Sequence, residues 1–207
     1  MQTPPAYDIT KDNLGRFGRG PALVTFGEVM VRDTPADMER PERTRLVRLS
    51  MAGSEYTLAI GLARLGIPTA YITRVPDNPY SRAVRNVARE NGVNTDHIVW
   101  ASKTEPMGRL IYEIGRTPRR DAGIYQRKYS AASKLDAGMV HWKAALKEAK
   151  LLHTSGITFG LAPIAGTTAI TTMKPSRKRS PTSRRAASSA WISITAARSG
   201  RSSRRAR

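Results

Sequence analysis

Apolar and polar positions along the chain predict strands and helices in turn. Residues 22–26, Ala-Leu-Val-Thr-Phe, form a short run of strand-favouring residues that is typical of a buried parallel strand. From Ser54 to Gly66, leucines recur at helical spacing, which predicts a helix capped by the Ser54 hydroxyl and ended by Gly66. Residues 69–73 then predict a second strand.

The alternation of strand and helix continues through the next segments. Residues 33–44 are dense in Asp, Pro, Glu and Arg and predict a loop, and the pattern of 45–50 predicts a half-exposed strand. Residues 81–91 carry an apolar face opposite an Arg-rich face, which predicts a helix, and 93–100 predict a third strand. With a further strand at 151–157, the order indicates an α/β fold built on a parallel sheet.

A hairpin is predicted between residues 110 and 129. Strand-like residues 110–114 and 124–129 flank a turn rich in Gly, Arg, Thr, Pro and Asp. Tyr125 and Arg127 are two residues apart and therefore project from the same face. A phenol beside a guanidinium suits a carboxylate or a hydroxyl-rich ligand. The alternative is a surface hairpin whose basic side stays in water.

Two further positions at the ends of predicted elements are candidate ligand contacts. Gly53 forms a tight turn at the start of the first helix, where a polar ligand can be held; the alternative is a helix start with no ligand. Glu28 follows the first strand, at the sheet edge where ligands of α/β proteins collect; the alternative is a solvated loop carboxylate.

The composition adds limits on function. The 207 residues carry a net charge of +19 and no cysteine, which excludes disulfides and thiolate metal sites and fits a reducing compartment. Residues 174–207 hold 11 of the 35 basic residues and no acidic one, so the rest, with 24 basic against 16 acidic residues, has a net charge of only +8. Residues 1–21 lack an apolar run and predict a flexible extension, and we expect a cytoplasmic protein. Motifs for P-loop, zincin and hydrolase-elbow chemistry are absent from the sequence.

Four segments resemble, in order and spacing, the PfkB (ribokinase-like) carbohydrate kinases, and the nearest branch is 2-keto-3-deoxygluconate kinase. They are Val24-Thr25-Phe26-Gly27-Glu28, Ala52-Gly53-Ser54-Glu55, Tyr125-Gln126-Arg127 and His153-Thr154-Ser155-Gly156-Ile157-Thr158. The resemblance covers residues 22 to 163. It implies an α/β fold that is the N-terminal part of a ribokinase-like doubly wound sheet, with a small β lid.

The resemblance also implies a ligand and roles for individual residues. Gly53 would lie against a sugar or sugar acid, and Tyr125 and Arg127 would reach the carboxylate end of the substrate from the lid. ATP and Mg²⁺ would bind near a Gly-Ala-Gly-Asp motif that supplies the catalytic aspartate, and the lid would form a homo-oligomer. Three positions depart from the family. Ala52 and Thr57 stand where the family usually has the first Gly of a Gly-Gly pair and an Asn, and Leu110 stands where some relatives have a Tyr.

The C-terminal sequence departs from this pattern. We predict a partial kinase domain at 22–166 and a basic, low-complexity, disordered tail at 167–207, which alternatively binds nucleic acid through phosphates. A frameshift near residues 167–173 offers another origin. Read two bases late, the Trp191 and Ile192 codons give an Asp, and the following codons permit the family's Asp-x-Asn-Tyr-Arg segment. The ATP site and the catalytic aspartate would then be missing, and the chain could not transfer a phosphoryl group.

Overall fold

A computed structural model describes residues 20–173 and 191–195, so nearly all of the predicted extension at 1–21 lies outside the described residues. The described strands are, in chain order, β1 (Leu23–Phe26), β2 (Met30–Pro35), β3 (Val47–Ala52), β4 (Thr69–Ile72), β5 (Arg74–Pro76), β6 (Val99–Ala101), β7 (Gly108–Glu113), β8 (Ala122–Gln126), β9 (Leu151–Ser155) and β10 (Trp191–Thr195). The described α-helices are α1 (Ser54–Arg64), α2 (Pro79–Glu90), α3 (Trp142–Ala145), α4 (Gly156–Leu161) and α5 (Pro163–Met173). None of these helices is long and apolar enough to cross a bilayer.

Helix α1 begins at Ser54, the residue that was predicted to cap it from outside. Gly53 is the N-cap residue, and no side chain caps the helix. The predicted cap by Ser54 is wrong, because its hydroxyl donates to Oε2 of Glu55 at 2.6 Å instead. The helix ends at Arg64, and the predicted stop, Gly66, follows it with a φ of 81° and an N–H that donates to the Ala63 carbonyl at 2.9 Å.

A parallel sheet in the order β10-β9-β1-β4 forms the centre of the fold, which confirms the predicted α/β class. Because successive residues of a strand point to opposite faces, the sheet needs a cover on both sides. One face packs on a cluster that includes Val24, Phe26, Ile72, Trp142 and Leu152. The other face packs on a cluster from α1, α2 and their neighbours, including Tyr56, Ala59, Tyr71, Val84 and Ala88.

A second sheet, here called the lid sheet, has the order β3-β2-β7-β8. Strands β7 and β8 are antiparallel, which confirms the predicted hairpin. In the register of the sheet, Arg32 lies opposite Ser50 and Leu110, and Leu110 lies opposite Tyr125. Residues paired directly across neighbouring strands share a face, so these four side chains form one row across the lid sheet.

Two sequence predictions in this region are wrong. Only Val99 and Trp100 of the predicted strand 93–100 are in a strand, and they pair with β5 outside the central sheet. Asn94 itself forms an isolated parallel bridge with Ala70 of β4. The pairing stops there because the Asn94 Oδ1 accepts from the Asp96 N–H at 2.9 Å in a local turn. The predicted loop at 33–44 also begins later, because β2 pairs with β3 as far as Pro35.

The predicted boundary after residue 166 is wrong in the described residues. Helix α5 continues to Met173, and Ala165 and Ala169 are fully buried in the cluster that covers Leu152. Strand β10 pairs in parallel with β9. These two segments are part of the fold and not of a disordered tail, because burial and strand pairing hold them. The rest of the predicted tail, 174–190 and 196–207, lies outside the described residues.

Candidate functional site

Glu28 lies in the connection between β1 and β2, at the carboxyl end of β1, as predicted. Its side chain is only 2% exposed, so the alternative of a solvated loop carboxylate is wrong. Ser130 donates to Oε1 at 2.5 Å, and Nη2 of Arg127 lies 2.5 Å from Oε2. Burial raises the pKa of Glu28 above 4.5, and the Ser130 hydrogen bond and the Arg127 charge oppose that rise. Glu28 precedes β2, and Arg127 and Ser130 follow β8. The carboxylate therefore connects the two ends of the segment that forms the lid sheet.

Two glycines let the backbone approach Glu28 closely. A Cβ atom at Gly53 would lie 2.6 Å from the Glu28 carbonyl oxygen, and a Cβ at Gly108 would lie 2.5 Å from Oε1 of Glu28. Real Cβ atoms do not make such contacts, so a side chain at Gly53 would require the backbone to shift, and one at Gly108 would displace the Glu28 carboxylate. The start of α1, the end of β1 and the start of β7 are thereby packed around one buried carboxylate.

Arg127 directly follows β8, and its guanidinium faces Glu28 while its side chain is 18% exposed. Tyr125 is exposed, and Cζ of Arg127 lies 6.0 Å from the centroid of its ring. The two residues line a cavity of about 290 Å³ together with Pro106 and Met107. The phenol and the guanidinium are adjacent, as the sequence predicts.

Gly53 faces a different and larger cavity, of about 880 Å³, which extends along α1 as far as Leu65. Arg32, from the lid sheet, lines this cavity with Gly53, and so do Ser54 and Thr57 from the first turn of the helix. The predicted site residues thus form two groups that meet at Glu28. Its backbone contacts Gly53, and its side chain holds Arg127.

Glu55 is a buried carboxylate that the sequence reasoning left without a role. Its Oε1 accepts from the Ser155 N–H at 2.8 Å and from the Thr158 hydroxyl at 2.9 Å, and the side chain of Ser54 donates to Oε2. Burial alone raises the pKa of Glu55, but the hydrogen bonds from Ser155, Ser54 and Thr158 outweigh it and lower the pKa below 4.5. An acidic residue in the first turn of α1 was the only sequence signal for it.

The described residues thus combine a parallel sheet that is covered on both faces with a second sheet that lies beside it. Residues 21–197 match the profile described as pfkB family carbohydrate kinase. The chain belongs to this family. The match extends beyond residue 163, where the resemblance seen in the sequence ended.

The names of two relatives describe kinases of dehydro-deoxy sugar acids. A 2-dehydro-3-deoxygalactonokinase from Haloferax volcanii is 34% identical over 140 residues, which are 68% of this chain and 43% of the relative. A 5-dehydro-2-deoxygluconokinase from Shouchella clausii is 27% identical over 146 residues, again 68% of this chain and 43% of the relative. The chain therefore spans less than half the length of these curated relatives.

Solved structures show the same fold. The crystal structure of 2-dehydro-3-deoxygluconokinase from Thermotoga maritima superposes with a TM-score of 0.68 at 32% identity, covering 72% of this chain and 46% of that one. The ribokinase-like class predicted from the sequence is thereby confirmed. Other chains with this fold, solved with ATP bound, share only 15% and 21% identity, which shows the fold alone.

Proposed function

We propose that this chain carries the substrate side of a kinase that phosphorylates 2-keto-3-deoxygluconate or a similar sugar acid. In the whole protein, the γ-phosphoryl group of ATP would pass to a hydroxyl of the sugar acid. The observation that carries the proposal is the arrangement at Glu28. Its backbone packs on Gly53, and its carboxylate holds Arg127 at the edge of the lid sheet.

Each residue has a separate role in this proposal. Gly53 forms the floor on which the sugar lies, because it lines the larger cavity at the start of α1 while its missing side chain lets its backbone pack on Glu28. Tyr125 and Arg127 donate hydrogen bonds to the carboxylate end of the substrate. Glu28 fixes the guanidinium of Arg127, which reduces the entropy that binding must remove.

A binding experiment on the 207-residue chain tests the proposal. We expect 2-keto-3-deoxygluconate to raise the melting temperature, and Arg127→Ala to abolish most of that rise. Lys103→Ala is the matched control, since Lys103 is exposed and lines neither cavity at the site. A ligand-induced shift that persists in Arg127→Ala, or that disappears equally in Lys103→Ala, contradicts the assigned role of Arg127.

We further propose that this chain lacks the nucleotide and Mg²⁺ sites that the family uses. The sequence contains no Gly-Ala-Gly-Asp motif. Among the described residues, no group of three or more His, Asp or Glu side chains could hold a metal ion. We therefore assign neither site to this chain and derive no step of phosphoryl transfer from it.

We also propose that this chain is catalytically incompetent. The origin of its C-terminal sequence can be tested separately. With ATP, Mg²⁺ and the sugar acid, we expect no phosphorylated product. Genomic reads across the Thr167 codon should reveal a frame that encodes Gly-Ala-Gly-Asp downstream. Turnover by the purified chain, or an unbroken frame without that motif, contradicts this part of the proposal.

A further inference from the structure

Arg32 contributes the charged side chain of the cavity at Gly53. Among the described residues that line this cavity of about 880 Å³, it alone carries a charge; the others are small, apolar or hydroxyl-bearing. Gly53, Ser54 and Thr57 form the polar floor at the start of α1. Arg32 reaches the cavity from β2, in the middle of the lid sheet. A ligand on the floor would therefore meet a guanidinium on its lid side.

The charge of Arg32 is not balanced by a carboxylate in the described part of the chain. Its Nε donates to the Ser50 hydroxyl at 2.9 Å, and its Cζ lies 5.9 Å from the centroid of the Tyr112 ring. Both partners are neutral, so they orient the guanidinium without neutralising it. The Nη groups keep the geometry that matches a carboxylate with two parallel hydrogen bonds.

Arg127 and Arg109 differ from Arg32 in this respect. Arg127 forms an ion pair with the buried Glu28, and Arg109 forms one with Asp33. The attraction of a distant anion to either arginine is weakened by the carboxylate already beside it. Arg127 can still donate hydrogen bonds, but among the described residues that line the cavity at Gly53 only Arg32 brings a positive charge.

The register of the lid sheet places Arg32 and Tyr125 on the same face. Leu110 lies between them in the row across β2, β7 and β8. Neighbouring strands are about 4.8 Å apart, so Arg32 and Tyr125 are separated by about 10 Å, and their long side chains can reach the same carboxylate held above Leu110.

We propose that Arg32 determines the preference for acidic sugars by binding the carboxylate of the substrate through its two Nη atoms. This inference rests on the proposed function and adds to it a residue at the same site. Arg32 supplies the unbalanced charge, and Arg127 supplies directional hydrogen bonds from a position that Glu28 fixes. A neutral sugar would use the floor at Gly53 but gain nothing from Arg32.

Calorimetric titration of the 207-residue chain with 2-keto-3-deoxygluconate and with the uncharged sugar 3-deoxyglucose separates these contributions. We expect Arg32→Ala to weaken binding of the acid tenfold or more, which corresponds to at least about 1.4 kcal/mol, and to change binding of the neutral sugar less than about twofold. Arg32→Gln keeps a donor for Ser50 and should show the same selective loss. Arg45→Ala removes an equal charge from an exposed position before β3 and should leave both affinities unchanged.

The outcomes distinguish the role of Arg32 from the proposed function. If the unsubstituted chain binds the acid and Arg32→Gln binds it equally well, the role of Arg32 is overturned while the sugar-acid site stands. Equal losses for the acid and the neutral sugar also overturn it, since Arg32 would then only shape the cavity. If the unsubstituted chain binds neither sugar, both the proposed function and this inference are wrong for this chain.

Discussion

Glu55 joins parts of the chain that are 100 residues apart, because it accepts a hydrogen bond from the Ser155 N–H at the end of β9. Its side chain is buried, so removing it leaves the Ser155 N–H and the Thr158 hydroxyl without this acceptor. We expect Glu55→Ala to lower the free energy of unfolding by about 3 kcal/mol, measured by urea denaturation. Glu90→Ala, at an exposed position of α2, should have almost no effect.

The same carboxylate predicts a dependence of stability on pH. The pKa of Glu55 is lowered in the folded chain, so its stabilising contribution is complete above its usual pKa of 4.5 and is lost as the pH falls through the lower, folded-state value. Glu55→Gln cannot titrate, so its unfolding free energy should fall less on acidification than that of the unsubstituted chain. Parallel curves for the two proteins below pH 4.5 would contradict this role.

The contribution of Glu28 to stability depends on pH in the opposite direction, because burial raises the pKa of Glu28. Its stabilising contribution is complete below pH 4.5 and is lost as the pH rises through the folded-state value. Arg127→Ala removes a neighbouring positive charge, so we expect the pKa of Glu28 to rise further and the unfolding free energy at neutral pH to fall by about 3 kcal/mol. A ¹³C titration of the carboxyl group measures the first effect, with Lys128→Ala as control. An unchanged pKa in Arg127→Ala would show that the ion pair does not form in solution.

At the scale of elements, patterns with local causes were predictable. The run at 22–26 and the hairpin of β7 and β8 were recognised because their apolar periodicity and turn residues lie within a few positions of each other. The partners of Glu28 could not be predicted, since Ser130 is 102 residues away and no local sequence pattern indicates such a contact. Arg32 was missed for the same reason. Its segment was predicted only to precede a loop, and the register with β7 exists only in the folded sheet.

Substitutions in helix α5 can test where the folded part of the chain ends. Ala169 is fully buried beyond the boundary predicted at residue 166, so a carboxylate there would be buried without a partner. We expect Ala169→Glu to lower the free energy of unfolding by about 3 kcal/mol or more, by urea denaturation. Thr167→Glu introduces the same charge on the exposed side of the helix and should be nearly neutral. Equal, small effects of both substitutions would restore the predicted boundary.

For the whole molecule, nucleic acid and a sugar acid would bind different basic residues, so the two kinds of binding can be tested independently. Residues 196–207 contain five arginines and follow β10, so replacing all five with Gln leaves the described elements unchanged in sequence. If the basic sequence binds nucleic acid through phosphates, binding of a random duplex DNA should weaken steeply with salt, and the variant should show a salt slope that is smaller by up to about 4. The cavity in which we propose that the sugar acid binds is lined by Arg32 and by residues between Met51 and Leu65, so the thermal shift with 2-keto-3-deoxygluconate should not change. A variant that keeps its DNA binding would exclude these arginines as its source, and a variant that loses the sugar-acid shift would contradict the assignment of that site to Gly53 and the lid sheet.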